Sequence, residues 1–136
     1  MRIPGVGWLL QNTLPRFLVA EGLRKMFGDP SKVTPEMVDR YADLTRRDGN
    51  RSAMIERSRR GASGTDGLAS RIPELKLPTL IMWGGRDRLI PPENAERFHR
   101  DIAGSTLVTF DDLGHAPDEE DPERTVVPVK QFLGIE

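Results

Sequence analysis

The sequence predicts an α/β fold, with helices over residues 1–70 followed by a parallel strand–helix–strand–helix unit over residues 71–136. Three observations carry that reading. Thr79-Leu-Ile-Met-Trp83 is an uncharged run rich in β-branched, aliphatic and aromatic residues, stopped by Gly84-Gly85, the pattern of a buried strand. Ser105-Thr-Leu-Val-Thr-Phe110 is a second such run. Between them, Ala95, Phe98 and Ile102 recur at helical spacing within Pro92–Ile102. Strand, helix and strand within about 30 residues make a βαβ unit, whose two strands run parallel.

Taken in order, the chain opens on an apolar patch from Trp8 to Leu14. Pro15 can start a helix and Gly28 can end it, with Phe17, Ala20, Leu23 and Phe27 on roughly one side. Asp29-Pro30 breaks the chain. Thr34 caps a second helix with Pro35 at its first position, and Met37, Val38, Tyr41, Ala42 and Leu44 are its apolar residues. Asp48-Gly49-Asn50 is a turn, and a third helix carries Ala53, Met54 and Ile55 through Arg60. Residues 61–67, Gly-Ala-Ser-Gly-Thr-Asp-Gly, read as a flexible link, and Leu68–Leu75 as a short helix leading into the sheet. After the second strand, Asp121 caps a last helix with Pro122 first in it. Pro128 falls inside that helix, removing a backbone bond and crowding the preceding turn, so a kink or an early stop is expected there. Val129, Phe132 and Leu133 are expected to pack on the sheet.

Composition narrows the class. Hydrophobic residues are 37% of the 136 and charged residues 30%, which suits a globular chain rather than a disordered one. No cysteine is present, which removes disulfides and thiolate metal sites from consideration. No apolar run approaches the roughly 18 residues of a membrane span, and Pro4 and Gly5 interrupt the N-terminal apolar stretch, so a cytoplasmic chain without a membrane partner is expected. The net charge of −1 is unevenly spread. Residues 1–76 hold 14 Lys and Arg against 9 Asp and Glu, residues 77–136 hold 6 against 12, and the halves therefore carry +5 and −6. Such a split fits either an acidic partner on the first half or docking of the two halves.

The residues with chemical potential sit just past the two strands. Asp87 follows the first and His115 the second, and in an α/β sheet ligands and chemistry gather at the carboxyl ends of strands. Alone, Asp87 is a turn residue beside two glycines and His115 a loop histidine. Trp83-Gly84-x-x-Asp87-x-x-x-Pro91, then Gly114-His115-x-Pro117, then Glu120-Asp121-Pro122-Glu123, together resemble the C-terminal end of an α/β-hydrolase. The resemblance is specific from about Lys76 to Leu133. It implies that Asp87 is the triad acid and His115 the general base, acting on a small-molecule substrate, and that the upstream helices correspond to the cap the family inserts before its seventh strand.

The family's nucleophile sits on a strand-to-helix turn of pattern G-x-S-x-G, upstream of the acid. That pattern does not occur in these residues. Gly61-Ala-Ser63-Gly64-Thr65 comes nearest, with Thr65 at the final position and no strand before it. The resemblance therefore implies the C-terminal half of a family member, expected to be inactive alone. Two functions stay open: part of a hydrolase whose other half comes from elsewhere, or a non-catalytic binding module. Bare strand edges predict self-association or capture of a complementary half.

The remaining features have plainer readings. Trp8 and Tyr41 either line a substrate pocket or pack the cap. A single cap tyrosine argues against the epoxide-hydrolase branch of the family, which uses a pair. Asp111, Asp112 and the run Asp118–Asp121 lack the spacing of a known calcium loop and read as a solvated acidic loop, with no metal and no other cofactor expected. The basic stretch Arg46–Arg60 lacks interleaved aromatics and reads as a solvated helix face rather than a nucleic-acid surface. His99 is expected on the surface of its helix.

Overall fold

A computed structural model of the chain describes residues 14–60 and 69–135, the side chains of 58–60 excepted. The apolar patch at Trp8, the link over residues 61–67 and the serine at position 63 lie outside the described residues. Helices α1 (Arg16–Met26), α2 (Pro35–Arg46) and α3 (Asn50–Arg60) precede strand β1 (Leu80–Gly84), helix α4 (Glu93–Asp101), strand β2 (Thr106–Phe110), the one-turn α5 (Pro117–Glu120) and α6 (Pro122–Leu133). Short 3-10 turns cover Pro30–Lys32 and Ala69–Glu74. Two compact units emerge, one of Met1–Leu23 with Val33–Asp66, the other of Arg24–Lys32 with Gly67–Glu136.

In the first unit, Val19, Ala20 and Leu23 of α1 and Val38 and Ala42 of α2 are buried at helical spacing. Phe17, expected on the inner stripe of α1, is instead 65% exposed, and Val19 is buried in its stead. α2 begins as its residues dictate: the Thr34 hydroxyl accepts a hydrogen bond from the Met37 amide at 3.2 Å, and Pro35 needs no amide partner at the first position. Arg16 bridges to Asp39 at 2.5 Å and donates to the Pro35 carbonyl, tying the start of α1 to α2. Gly49 turns the chain between α2 and α3 at φ 84°, a conformation that suits glycine.

The second unit is built on the parallel pair. β1 and β2 run in register from Leu80 opposite Thr106 to Gly84 opposite Phe110. Ile81, Ala95 and Ile102 form the buried cluster beneath α4, with Ile72, Trp83 and Leu107 packed against it. The Trp83 and Phe98 rings lie 6.2 Å apart, a tilted aromatic contact. Phe110 and Leu113 are buried at the far end of β2, as is Phe27 after α1.

The last helix departs from expectation. α6 runs unbroken through Pro128. Both of its ends are well satisfied. Asp121 accepts from the Arg124 amide at 3.1 Å, and the Thr125 hydroxyl returns to the Asp121 carbonyl at 2.8 Å. Gly134, at φ 66°, closes the other end with bonds from Gly134 N to Gln131 O and from Ile135 N to Lys130 O. The carbonyl that Pro128 leaves without its donor belongs to exposed Arg124, where water can take it. The second correction concerns packing: Phe132 and Leu133 are exposed rather than set on the sheet, and Val129 is half-buried.

Candidate active site

The carboxyl ends of β1 and β2 are brought together by backbone packing. Gly85 N donates to the Phe110 carbonyl at 2.7 Å and Arg86 N to the Leu113 carbonyl at 2.8 Å, so the loops after the two strands are bonded side by side. Glycine is required at this junction. A Cβ at Gly84 would collide with the Leu113 and Gly114 carbonyls, and one at Gly114 with the Met26 carbonyl and the Gly28 amide. The backbones meet because no side chains stand between them.

That junction sets Asp87 opposite His115. Oδ2 of Asp87 lies 2.9 Å from Nδ1 of His115. Oδ1 of the same carboxylate accepts from the amides of Leu89 and Ile90, at 2.8 and 2.9 Å. Asp87 is 8% exposed. Burial by itself pushes its carboxyl up. The Ile90 amide, the His115 ring and the Leu89 amide outweigh that push and hold the carboxyl below its ordinary value. An ionised carboxylate only accepts hydrogen bonds, so Nδ1 is the ring's donor and Nε2 is the nitrogen left to exchange a proton. His115 is half-buried and lines a cleft of about 160 Å³ with Met82, Trp83, Asp87, Ile90 and Pro117. A histidine held in one tautomer by a fixed carboxylate, at the rim of a cleft, can serve as a general base and then as an acid.

The other candidate positions are placed differently. Tyr41 is half-buried on α2 in the first unit, with the Arg40 guanidinium 5.3 Å from its ring centroid. Trp8 lies outside the described residues. His99 is exposed, with Nδ1 2.9 Å from the Ser105 hydroxyl. The acidic run is not uniformly solvated. Asp112 pairs with Arg124 through two contacts, at 3.1 and 2.5 Å, and this hydrogen bonding lowers its carboxyl to about 2. Glu120 is the larger correction. It is 6% exposed and turned inward, accepting from three backbone amides: Gly28 at 2.9 Å, Asp29 at 2.8 Å and Gly114 at 2.8 Å.

Comparison with known proteins agrees with this architecture. The family model described as alpha/beta hydrolase fold matches residues 6–122. The chain belongs to the α/β hydrolase fold family. Among curated proteins, it is 29% identical over 126 residues to the uncharacterized hydrolase YugF of Bacillus subtilis, covering 88% of this chain and 45% of the relative. It is also 29% identical over 136 residues to a 2-hydroxy-6-oxononadienedioate/2-hydroxy-6-oxononatrienedioate hydrolase of a Pseudomonas species, covering 96% and 48%. Among solved structures, a serine hydrolase involved in carbazole degradation superimposes with a TM-score of 0.78 at 22% identity, over 88% of this chain and 47% of that one. An esterase from Thermogutta terrifontis gives 0.70 at 28% identity, over 95% and 47%. The chain thus spans about half the length of the relatives it matches, and its helices and two-stranded parallel sheet are a partial α/β-hydrolase fold. No helix among the described residues is long and apolar enough to cross a membrane.

Proposed function

We propose that Asp87 and His115 are the acid and the general base of a hydrolytic triad that cleaves an ester, a C–C bond or a related bond in a small molecule. The observation that carries this is the 2.9 Å contact between Asp87 and Nδ1 of His115, with the carboxylate fixed by two backbone amides beside a cleft. The ester follows the esterase among the solved structures, the small-molecule substrate follows the hydrolase of oxononadienedioate compounds, and the C–C alternative follows the family resemblance.

In this reading a hydroxyl nucleophile gives its proton to Nε2 of His115 as it attacks the scissile carbonyl. Asp87, bonded at Nδ1, stabilises the resulting imidazolium without taking the proton itself. His115 then returns the proton to the leaving group. These residues contain no G-x-S-x-G turn, so the nucleophile is assigned to polypeptide beyond them, on another chain or in the rest of a longer protein. Residues 1–70 are assigned as the cap and residues 71–136 as the C-terminal part of the core, with Trp8 and Tyr41 as cap contacts to substrate. The chain is further assigned a cytoplasmic location and a tendency to pair with itself or with a complementary half.

Hydrolysis of a short-chain p-nitrophenyl ester tests the division of labour. The chain alone is expected to show no turnover above buffer that depends on His115. A robust rate abolished by His115→Ala would place the nucleophile within these residues and contradict the assignment.

A further inference from the structure

Glu120 lies five residues beyond His115, at the end of the single turn of α5. Pro117 starts that turn, and Glu120 N and Asp121 N close it on the Ala116 and Pro117 carbonyls at 3.0 and 2.9 Å. The turn folds the Glu120 side chain back beneath the histidine loop. One oxygen then takes the amides of Gly114 and Gly28 and the other the amide of Asp29. Gly114 is the residue directly before His115, and the His115 amide itself donates to the Met26 carbonyl at 2.6 Å. A single buried carboxylate therefore joins the loop that bears the histidine to the 26–29 turn, a segment some 90 residues away in sequence.

We propose that Glu120 is a positioning residue for His115: it holds the histidine loop at the height where Nδ1 meets Asp87. The proposal rests on the reading of His115 as the general base. The chemistry of the pocket is selective. All three partners are N–H donors, and only a carboxylate offers acceptors on both arms. Glutamine keeps the shape, but with its oxygen on Gly28 and Gly114 its NH2 group faces the Asp29 amide, donor against donor. Alanine removes every acceptor and leaves three amides, those of Gly28 and Gly114 buried, with no side-chain partner.

Nuclear magnetic resonance on the whole chain reads this directly. In the unsubstituted protein, the Nδ1 proton shared with Asp87 is expected as a far-downfield resonance that Asp87→Asn abolishes; its absence would contradict the reading of the acid–base pair itself. With that resonance in hand, Glu120→Gln and Glu120→Ala are expected to lose or broaden it while the amides of β1 and β2 keep their shifts. Either variant, folded by that criterion and retaining the resonance at its original position, would overturn the positioning role. Should both variants fail to fold, mild urea on the unsubstituted chain decides. The protection of the Gly28, Asp29 and Gly114 amides and the His115 resonance are expected to be lost together, below the global transition. A His115 resonance that outlives the three amides would overturn the proposal.

Discussion

At the scale of single residues, the Asp87 carboxylate divides its labour between its two oxygens. One is spent on the amides of its own turn, and the other reaches His115. The two amides hold the carboxylate from its own turn, independently of the histidine. The same bonds make Asp87 a source of acid sensitivity. Its folded-state carboxyl lies below its ordinary value, so the unfolded chain takes up the proton more readily. The stability it contributes is fully present above the unfolded value, about 3.9, and is lost as pH falls through the lower folded value. Urea midpoints are therefore expected to fall with pH below about 4, and Asp87→Asn to flatten that slope. Equal slopes in the two proteins would contradict the bonding assigned to Asp87. The meeting of Asp87 with His115 was legible in the sequence, because both residues follow ends of parallel strands, beside glycines. Glu120 was not. It stands in a run of four acids that look alike in sequence, and what buries it is a pair of amides from a distant turn.

At the scale of elements, the βαβ unit was legible because each segment agrees locally with its fate. β1 and β2 are apolar runs ended by turn residues, and α4 buries Ala95, with Ile102 buried just past its end. The strands and α4 begin one residue later than the patterns imply, within the usual uncertainty of helix and strand ends. α1 was harder, because Phe17, Leu18, Val19 and Ala20 are consecutive apolar residues and periodicity alone does not choose among them. Pro128 shows the opposite failure, a strong local rule overridden by a helix with both ends satisfied. The cost of that override is still present. Pro128→Ala restores a donor to the Arg124 carbonyl and is expected to raise the unfolding free energy, by up to about 3 kcal/mol. An unchanged or lower urea midpoint would show that the proline ring contributes packing that the helix needs.

At the scale of the molecule, apolar surface is the conspicuous feature. Val126, Val127, Phe132, Leu133 and Ile135, on and just after α6, are all exposed, Leu133 at 60%. The described sheet has two strands, so each leaves one edge row of backbone groups without a strand partner. Exposed apolar patches and open edges favour association. Light scattering coupled to size exclusion is expected to show a species larger than 15.3 kDa whose share grows with concentration. A sharp 15.3 kDa monomer at high concentration would contradict that expectation. The sequence made the open edges foreseeable from the strand count. It did not reveal the exposure of α6, because an apolar helix face reads the same whether or not a neighbour covers it.

The central claim, that Asp87 and His115 are a working acid and base, is tested most directly by supplying a nucleophile. A nucleophile-bearing segment with the G-x-S-x-G turn, taken from another family member, would be joined ahead of this chain and assayed on a p-nitrophenyl ester. The fusion is expected to turn over, and His115→Ala and Asp87→Asn each to lower kcat by a factor on the order of 10⁴ or more. An active fusion whose rate is unchanged by His115→Ala would contradict the claim.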